Sequence, residues 1–224
     1  DYDTSSIHSL LIHRPTGRAI GTVRLILPRA DRPETSFPIS RQCTHPLFHH
    51  PHLISRSCEV SRFAISKALR EDILAGTQGE SPADACGTWS TKNIIRYAGT
   101  GLLFAAFDMA IENGADGLFA LMEPSLLRQL GWFGIHFMPV GRPVEYHGLR
   151  QPSFNLIKDL LAGARRHDPE IWAVLSDRGR LDRAIDSRFG PRRLVAAYGH
   201  LAGAADGGVA AADREWRGAA ALAE

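Results

Sequence analysis

The chain is short of cysteine, of lysine, of long apolar runs and of charge of one sign, and three of these shortages exclude something. Its three cysteines, Cys43, Cys58 and Cys86, are odd in number and lack CxxC spacing. That excludes a disulfide framework and a zinc ribbon, and it predicts a reducing, cytoplasmic setting. No stretch approaches the ~20 consecutive apolar residues of a membrane helix, so no membrane span is expected. With 26 basic against 24 acidic residues the formal charge is only +2, too balanced for wholesale nucleic-acid binding. Lysine is confined to Lys67, Lys92 and Lys158, so the basic side is nearly all arginine. The chain opens at Asp1 with neither a methionine nor a signal-like apolar segment, from which a trimmed N-terminus is expected.

What is present suits one α/β domain. The 224 residues are 44% hydrophobic and 22% charged, enough to build a sizeable core. Residues 8–28 read as a hairpin: SLLIH, a turn at Pro15 and Gly17, then AIGTVRLIL. The Pro-, His- and Arg-rich stretch 28–57 predicts an irregular excursion over the surface. CEVSRFAIS, residues 58–66, alternates as a strand, and residues 67–90 read as a Gly-rich flexible insertion. Apolar spacing from Thr91 to Asn113, stopping at Gly114, predicts the longest helix. A short buried strand, GLFALM, follows at 117–122. Strand, helix, strand in that order favours a parallel pair joined by a right-handed crossover. A helix after Pro124, two strands in HFMPVG and PVEYHGL, a helix over residues 154–166 and a short one over 169–175 complete the order. The expected fold class is α/β, with a mixed sheet flanked by helices rather than a doubly wound one.

Several residues carry candidate chemistry. Glu59 lies on a mostly apolar strand, where desolvation raises a carboxyl pKa and suits it to general-base work. A structural ion pair with Arg24 or Arg62 is the plain alternative. Both arginines sit in mostly apolar strands and need an anion, supplied by Asp3 or Glu59 internally or by a substrate carboxylate. Strict alternation would put Glu59, Ser61 and Phe63 on one face and Arg62 on the other, whereas a β-bulge would turn Glu59 and Arg62 together. RYAGTG (Arg96, Gly99, Gly101) matches R-x-x-G-x-G, a pattern that wraps phosphate with backbone N–H groups at a helix start. Here the glycines fall inside the helical pattern, so helix-to-sheet packing is an equal reading. Cys43, His45, His49, His50 and His52 cluster in sequence, but Pro46 and Pro51 spoil helical ligand spacing, and no metal site is assigned. In VEYHGLRQP, Tyr146, His147, Gly148 and Arg150 end a strand. His147 could shuttle a proton there or serve only as a hydrogen-bonded strand-end residue.

The order of elements, with CEVSRFAIS central, resembles the GCN5-related N-acyltransferase superfamily. DYDTSSIHSLL, GTVRL, CEVSRFAIS and MEPSLLRQLGWFGIHFMPVGRPVEYHGLRQP are similar to its autoinducer-synthase-like branch. Within that branch they look most like the exosortase (PEP-CTERM) system-associated acyltransferases and the FeeM-type N-acyl amino acid synthases. The resemblance covers residues 1–152, and E-x-S-R-F is its most specific motif. Two features depart from the pattern: the N-terminal helical region is missing, and the acidic residue expected upstream of DYD would precede Asp1.

The resemblance implies an acyl thioester donor on acyl carrier protein, or on coenzyme A, and an amine acceptor such as an amino acid. No tightly bound cofactor is implied. It places Asp3, Arg24, Glu59 and Arg62 in one polar cluster by the acceptor, with Ser61 between the last two. His147 and Arg150 are expected to touch substrate, and Arg96, Gly99 and Gly101 to touch the phosphopantetheine. On this reading residues 1–176 form the acyltransferase domain, 177–201 a basic extension and 202–224 an Ala/Gly-rich disordered tail. The arginines Arg165, Arg166, Arg178, Arg180, Arg183, Arg188, Arg192 and Arg193 would either steer an acidic carrier protein or form a solvated surface. An acyl-homoserine-lactone synthase is the alternative enzyme. A catalytically silent acyl- or carrier-binding module is the alternative of another class.

Overall fold

A computed structural model describes residues 2–14, 17–67 and 91–188. The readings of 68–90 as an insertion and of 202–224 as a tail, and the placing of Arg192 and Arg193, lie outside the described residues. Seven strands form one mixed sheet: β1 (Ser6–His13), β2 (Arg18–Ile26), β3 (Ser57–Ile65), β4 (Gly117–Met122), β5 (Met138–Pro139), β6 (Val144–Glu145) and β7 (Leu149–Leu156). The path runs β1-β2-β3-β4-β7-β5, with β6 also on β7. β3 and β4 pair in parallel, and the other pairs are antiparallel. The helices are α1 (Pro51–Ile54), α2 (Thr91–Glu112), α3 (Pro124–Gly131), α4 (Ile157–His167) and α5 (Pro169–Leu175). Residues 180–188 are helical as well.

The hairpin, the crossover helix and the parallel pair stand as expected, and two readings need correcting. Residues 149–156 are a strand, and the helix expected from 154 starts at Ile157. Phe154 is the reason. It registers opposite Phe119 of β4 and their rings lie 4.6 Å apart, so buried aromatic pairing holds the chain extended for three residues beyond the expected boundary.

The second correction concerns residues 28–56, which are irregular but not superficial. Three 3₁₀ turns and α1 each begin with a proline, Pro33, Pro38, Pro46 and Pro51, whose fixed φ suits a first helical position. Between these turns Phe37, Ile39, Leu47, Phe48, Leu53 and Ile54 are buried against Ile26, Phe119, Val140 and Phe154, roofing one face of the sheet. The other face carries the main core, where Val23, Leu25, Cys58, Val60, Leu118 and Ala120 meet α2, α4 and α5. That core also takes in Leu181 and Ile185, both fully buried. Residues 181 and 185 thus pack against the main core of the sheet.

Three of the described arginines of this region have partners within the domain. Arg165 stacks over Trp172 at 4.8 Å, Arg180 bridges Asp108 and Asp177 at 2.8 and 2.6 Å, and Arg188 donates to the carbonyl of Ile111.

Candidate active site

The geometry starts from a mismatch in strand length. β3 and β4 register from Ser57↔Gly117 to Val60↔Ala120 and no further, although β3 continues to Ile65 and β4 to Met122. Beyond Val60 and Ala120 the two strands splay. The gap opens into a cavity of about 460 Å³. Val60, Phe63 and Ile65 of β3, Leu103 of α2, Leu126 and Leu130 of α3, and Phe137 make its walls mainly apolar. Ser61 and Arg62 line one lip; Glu123, Ser125 and Arg150 also line the cleft.

Beside the splay β3 also slips against β2. Thr22 pairs with Ala64 but Arg24 pairs with Ser61, so the bulge falls at Arg62 and Phe63. Arg62 takes φ 49°, a left-handed conformation that a non-glycine residue adopts at a cost of order 1 kcal/mol or more. The slip reverses strict alternation. Phe63 turns to the main core and Arg62 joins the face that carries Arg24, Glu59 and Ser61. Because pairing with β4 has already ended, the backbone of the bulge borders the cleft on that side.

On that face the side chains interlock. Arg24 donates through Nε to Ser61 Oγ at 2.8 Å and through Nη1 to Asp3 Oδ1. Arg62 Nη2 meets Asp3 Oδ2 at 3.4 Å. The hydrogen bond from Arg24 holds the Asp3 carboxyl below the usual carboxylate range, aided by the charge of Arg62.

Glu59 lies deeper, 2% exposed, beneath the 28–56 roof. The backbone N–H of Ile39 donates to its Oε2 at 2.9 Å. Burial pushes the Glu59 carboxyl up to about 8, against the lowering pull of that N–H and of Arg24. Arg24, Arg62, Ser61 and Asp3 are thus brought together directly, with Glu59 coupled to them through the charge of Arg24. Burial pushes the nearby Cys43 thiol up to about 11, with Glu59 adding to the effect.

A raised carboxyl pKa has a stability consequence. Between pH 4.5 and about 8 the folded chain keeps a proton on Glu59 that the unfolded chain has released. Stability then falls as pH rises through this window, by an amount on the order of a few kcal/mol. Glu59→Gln still offers an oxygen to Ile39 and carries no charge. We expect its melting temperature at pH 8.5 to match or exceed that of the unmodified chain, with a flatter dependence on pH, as thermal unfolding monitored by circular dichroism would show. A Gln variant that melted well below the parent at every pH would remove the desolvated carboxyl from this account.

The remaining candidates are dispersed. His147 is exposed at φ 53° in the β6–β7 turn, and the structure does not bring it to the cluster. Arg150 borders the cleft and makes a 3.0 Å ion pair with Glu123. Gly99 and Gly101 lie inside α2, not in a loop at its start, and a Cβ on Gly101 would meet only Leu11 at an ordinary 3.5 Å. They do not line the cleft; the Arg96 side chain is not among the described groups. Among the described residues no group of three or more His, Cys, Asp and Glu could hold a metal ion. His45 instead uses Nδ1 to accept from Leu47 N–H. Sequence reasoning missed Glu123, Ser125, Gln129 and the N–H of Ile39. Amphipathicity of the segment after Pro124 could have flagged the α3 pair, whereas Ile39 left no signal.

Residues 1–76 match the acetyltransferase (GNAT) domain family, a segment that contains β1 to β3 and with them Asp3, Arg24, Glu59, Ser61 and Arg62. No curated protein matches the chain. Among solved structures it aligns with TofI in a ternary complex with an inhibitor and MTA, at 23% identity over 76% of this chain and 74% of that one, TM-score 0.45. It aligns with BjaI, a CoA-dependent acyl-homoserine lactone synthase, at 17% identity over 81% and 67%, TM-score 0.43. FeeM, an N-acyl amino acid synthase from uncultured soil microbes, aligns at 18% identity over 71% of each chain, TM-score 0.45. The family match is confined to residues 1–76, about a third of the chain, and the strands in that segment belong to a mixed α/β sheet.

Proposed function

We propose that the protein moves a long-chain acyl group from a thioester, carried on acyl carrier protein or less favourably on coenzyme A, to the amine of an acceptor such as an amino acid. The observation that carries this reading is the apolar cleft at the β3–β4 splay, bordered by the Asp3–Arg24–Ser61–Arg62 cluster with Glu59 behind it. Aminolysis needs a neutral amine, a place for an apolar chain, and stabilisation of the negative charge that develops on the thioester oxygen. The cleft suits the chain, and the bulge puts backbone amides beside the lip where the thioester would sit. The amine nitrogen attacks the thioester carbon, forming the C–N bond and breaking C–S. The amine proton passes to Glu59, directly or through water, and the departing thiolate takes up a proton. Glu59 must be ionised to act, so transfer should rise with pH through about 8.

The exosortase (PEP-CTERM) association and the carrier-protein donor draw their support from the local sequence resemblance, and cytoplasmic localisation from such a donor and the low cysteine use. No helix among the described residues is long and apolar enough to cross a membrane. The acyl-homoserine-lactone reading uses the same cleft and differs in acceptor. The test is incubation of the protein with palmitoyl-acyl carrier protein and amino acids, following release of the carrier thiol. Release that needs an added amine supports the reading; no release with any amine overturns it. If the cleft holds the acyl chain, Leu126→Trp fills part of it. We expect kcat/KM for long donors to fall about 10-fold or more while short donors are spared, since each excluded methylene forfeits about 0.8 kcal/mol. An unchanged chain-length profile would place the acyl chain elsewhere.

A further inference from the structure

We infer that Arg150 is the phosphate-reading residue of the cleft and that Glu123 is the internal anion holding its place. The inference rests on the reading of this cleft as the thioester-donor site. It concerns the end of the donor arm remote from the reacting carbon.

Among the described residues, the charged side chains that line the cleft are Arg62, Glu123 and Arg150. Arg62 lies with Asp3 on the β3 lip, the end of the cleft where the thioester would sit, so it is not placed to meet the remote end of the donor arm. Arg150 starts from β7, where the register Met122↔Gln151 brings it next to the end of β4 and so to Glu123. Its guanidinium is already oriented, because Nη2 donates to the His147 carbonyl at 2.7 Å and Nη1 to the Leu149 carbonyl at 3.2 Å. The turn that supplies the first of these carbonyls carries positive φ at both His147 and Gly148, 53° and 95°, so the β6–β7 turn serves as a mount for this arginine. A preoriented guanidinium loses little freedom on meeting an anion.

Its present partner is easily displaced. The Glu123 side chain is 57% exposed, and an ion pair to such a group contributes little. Ser125 Oγ, also in the cleft, donates to the other Glu123 oxygen at 3.4 Å and would become available together with Arg150. Phosphate oxygens form stronger charge-assisted bonds with arginine than an exposed carboxylate does. A pantetheine arm with its thioester at the Ser61–Arg62 lip has an anionic phosphate at its other end, and among the described residues Arg150 is a cation that the opposite side of the cleft offers. The phosphate could belong to a carrier-protein phosphodiester or to coenzyme A; the chemistry read by Arg150 is shared.

The test is binding, so it does not depend on turnover. Titration calorimetry compares S-octyl-4′-phosphopantetheine with S-octyl-pantetheine, two thioethers that differ only in the phosphate. We expect the protein to prefer the phosphorylated compound by about 10-fold or more, the scale of one charge-assisted contact. Arg150→Gln should reduce the preference to within about 2-fold, and Glu123→Gln, which removes the competing anion, should increase it. Equal binding of the two thioethers by the unmodified protein, or a preference untouched in both variants, overturns the assignment. If Arg150→Gln does not fold, Glu123→Gln alone decides by whether the preference grows. Preference without any acyl transfer would uphold the phosphate site while removing the proposed activity, and transfer without preference would do the reverse. Repeating the titration with the octyl thioether on coenzyme A and on carrier protein shows which source loses affinity in Arg150→Gln; loss with neither overturns the assignment.

Discussion

Glu59→Gln lowers acyl transfer by roughly 10²–10⁴-fold, the range that a positioned general base supplies, while the protein stays folded. The expectation follows from burial, geometry and charge together. The carboxyl is 2% exposed, its pKa is pushed up to about 8, and it shares a sheet face with Ser61 and with the arginines that Asp3 links. Gln preserves shape and an acceptor for the Ile39 N–H but cannot take a proton. The rise of transfer with pH through about 8 should disappear in the variant together with the rate. The assay is release of carrier thiol with an amino acid acceptor, run beside a melting curve. Substantial turnover in folded Glu59→Gln would leave Glu59 a buried structural carboxyl and move the base elsewhere.

The largest stability effect is expected where α4 crosses the chain at Gly134. A Cβ on Gly163 would lie 2.2 Å from the Gly134 carbonyl oxygen, and one on Gly134 would lie 2.5 Å from the Gly163 oxygen. Both obstacles are backbone, so neither can rotate aside, and Gly134 also holds φ +73°. Gly163→Ala must therefore push the helix away from the Ile135 region of the core. The expected cost is about 3 kcal/mol, the upper end of ordinary overpacking, which lowers the melting temperature by roughly 6–12 °C for a domain of this size. Differential scanning calorimetry measures it directly. A shift of less than about 2 °C would mean that the crossing is looser than its geometry states.

Where periodicity and turn chemistry agree, the structure was legible beforehand. Pro15 and Gly17 marked the hairpin turn, and the helix ending before Gly114 between two apolar strands pointed to the parallel pair. E-x-S-R-F marked the strand that carries the cluster, but its spacing left the orientation of Arg62 undecided between alternation and a bulge. Only the register change from Thr22↔Ala64 to Arg24↔Ser61 settles it, and that depends on a neighbouring strand. The 28–56 segment was misjudged because local polarity conceals burial. Its apolar residues have no helical or strand period, being brought to the sheet by successive proline-led turns. The Glu123–Arg150 pair was beyond reach for another reason: the residues are remote in sequence and meet only through the antiparallel register of β4 and β7.

The central claim is acyl transfer to an amine, and mass spectrometry of lipids extracted from cells expressing the protein tests it most directly. The account predicts new N-acyl amino acids that are present with the unmodified chain and absent with Glu59→Gln. Acyl-homoserine lactones in their place would contradict the proposed acceptor, and a lipid profile indistinguishable from cells lacking the protein would contradict the transfer itself.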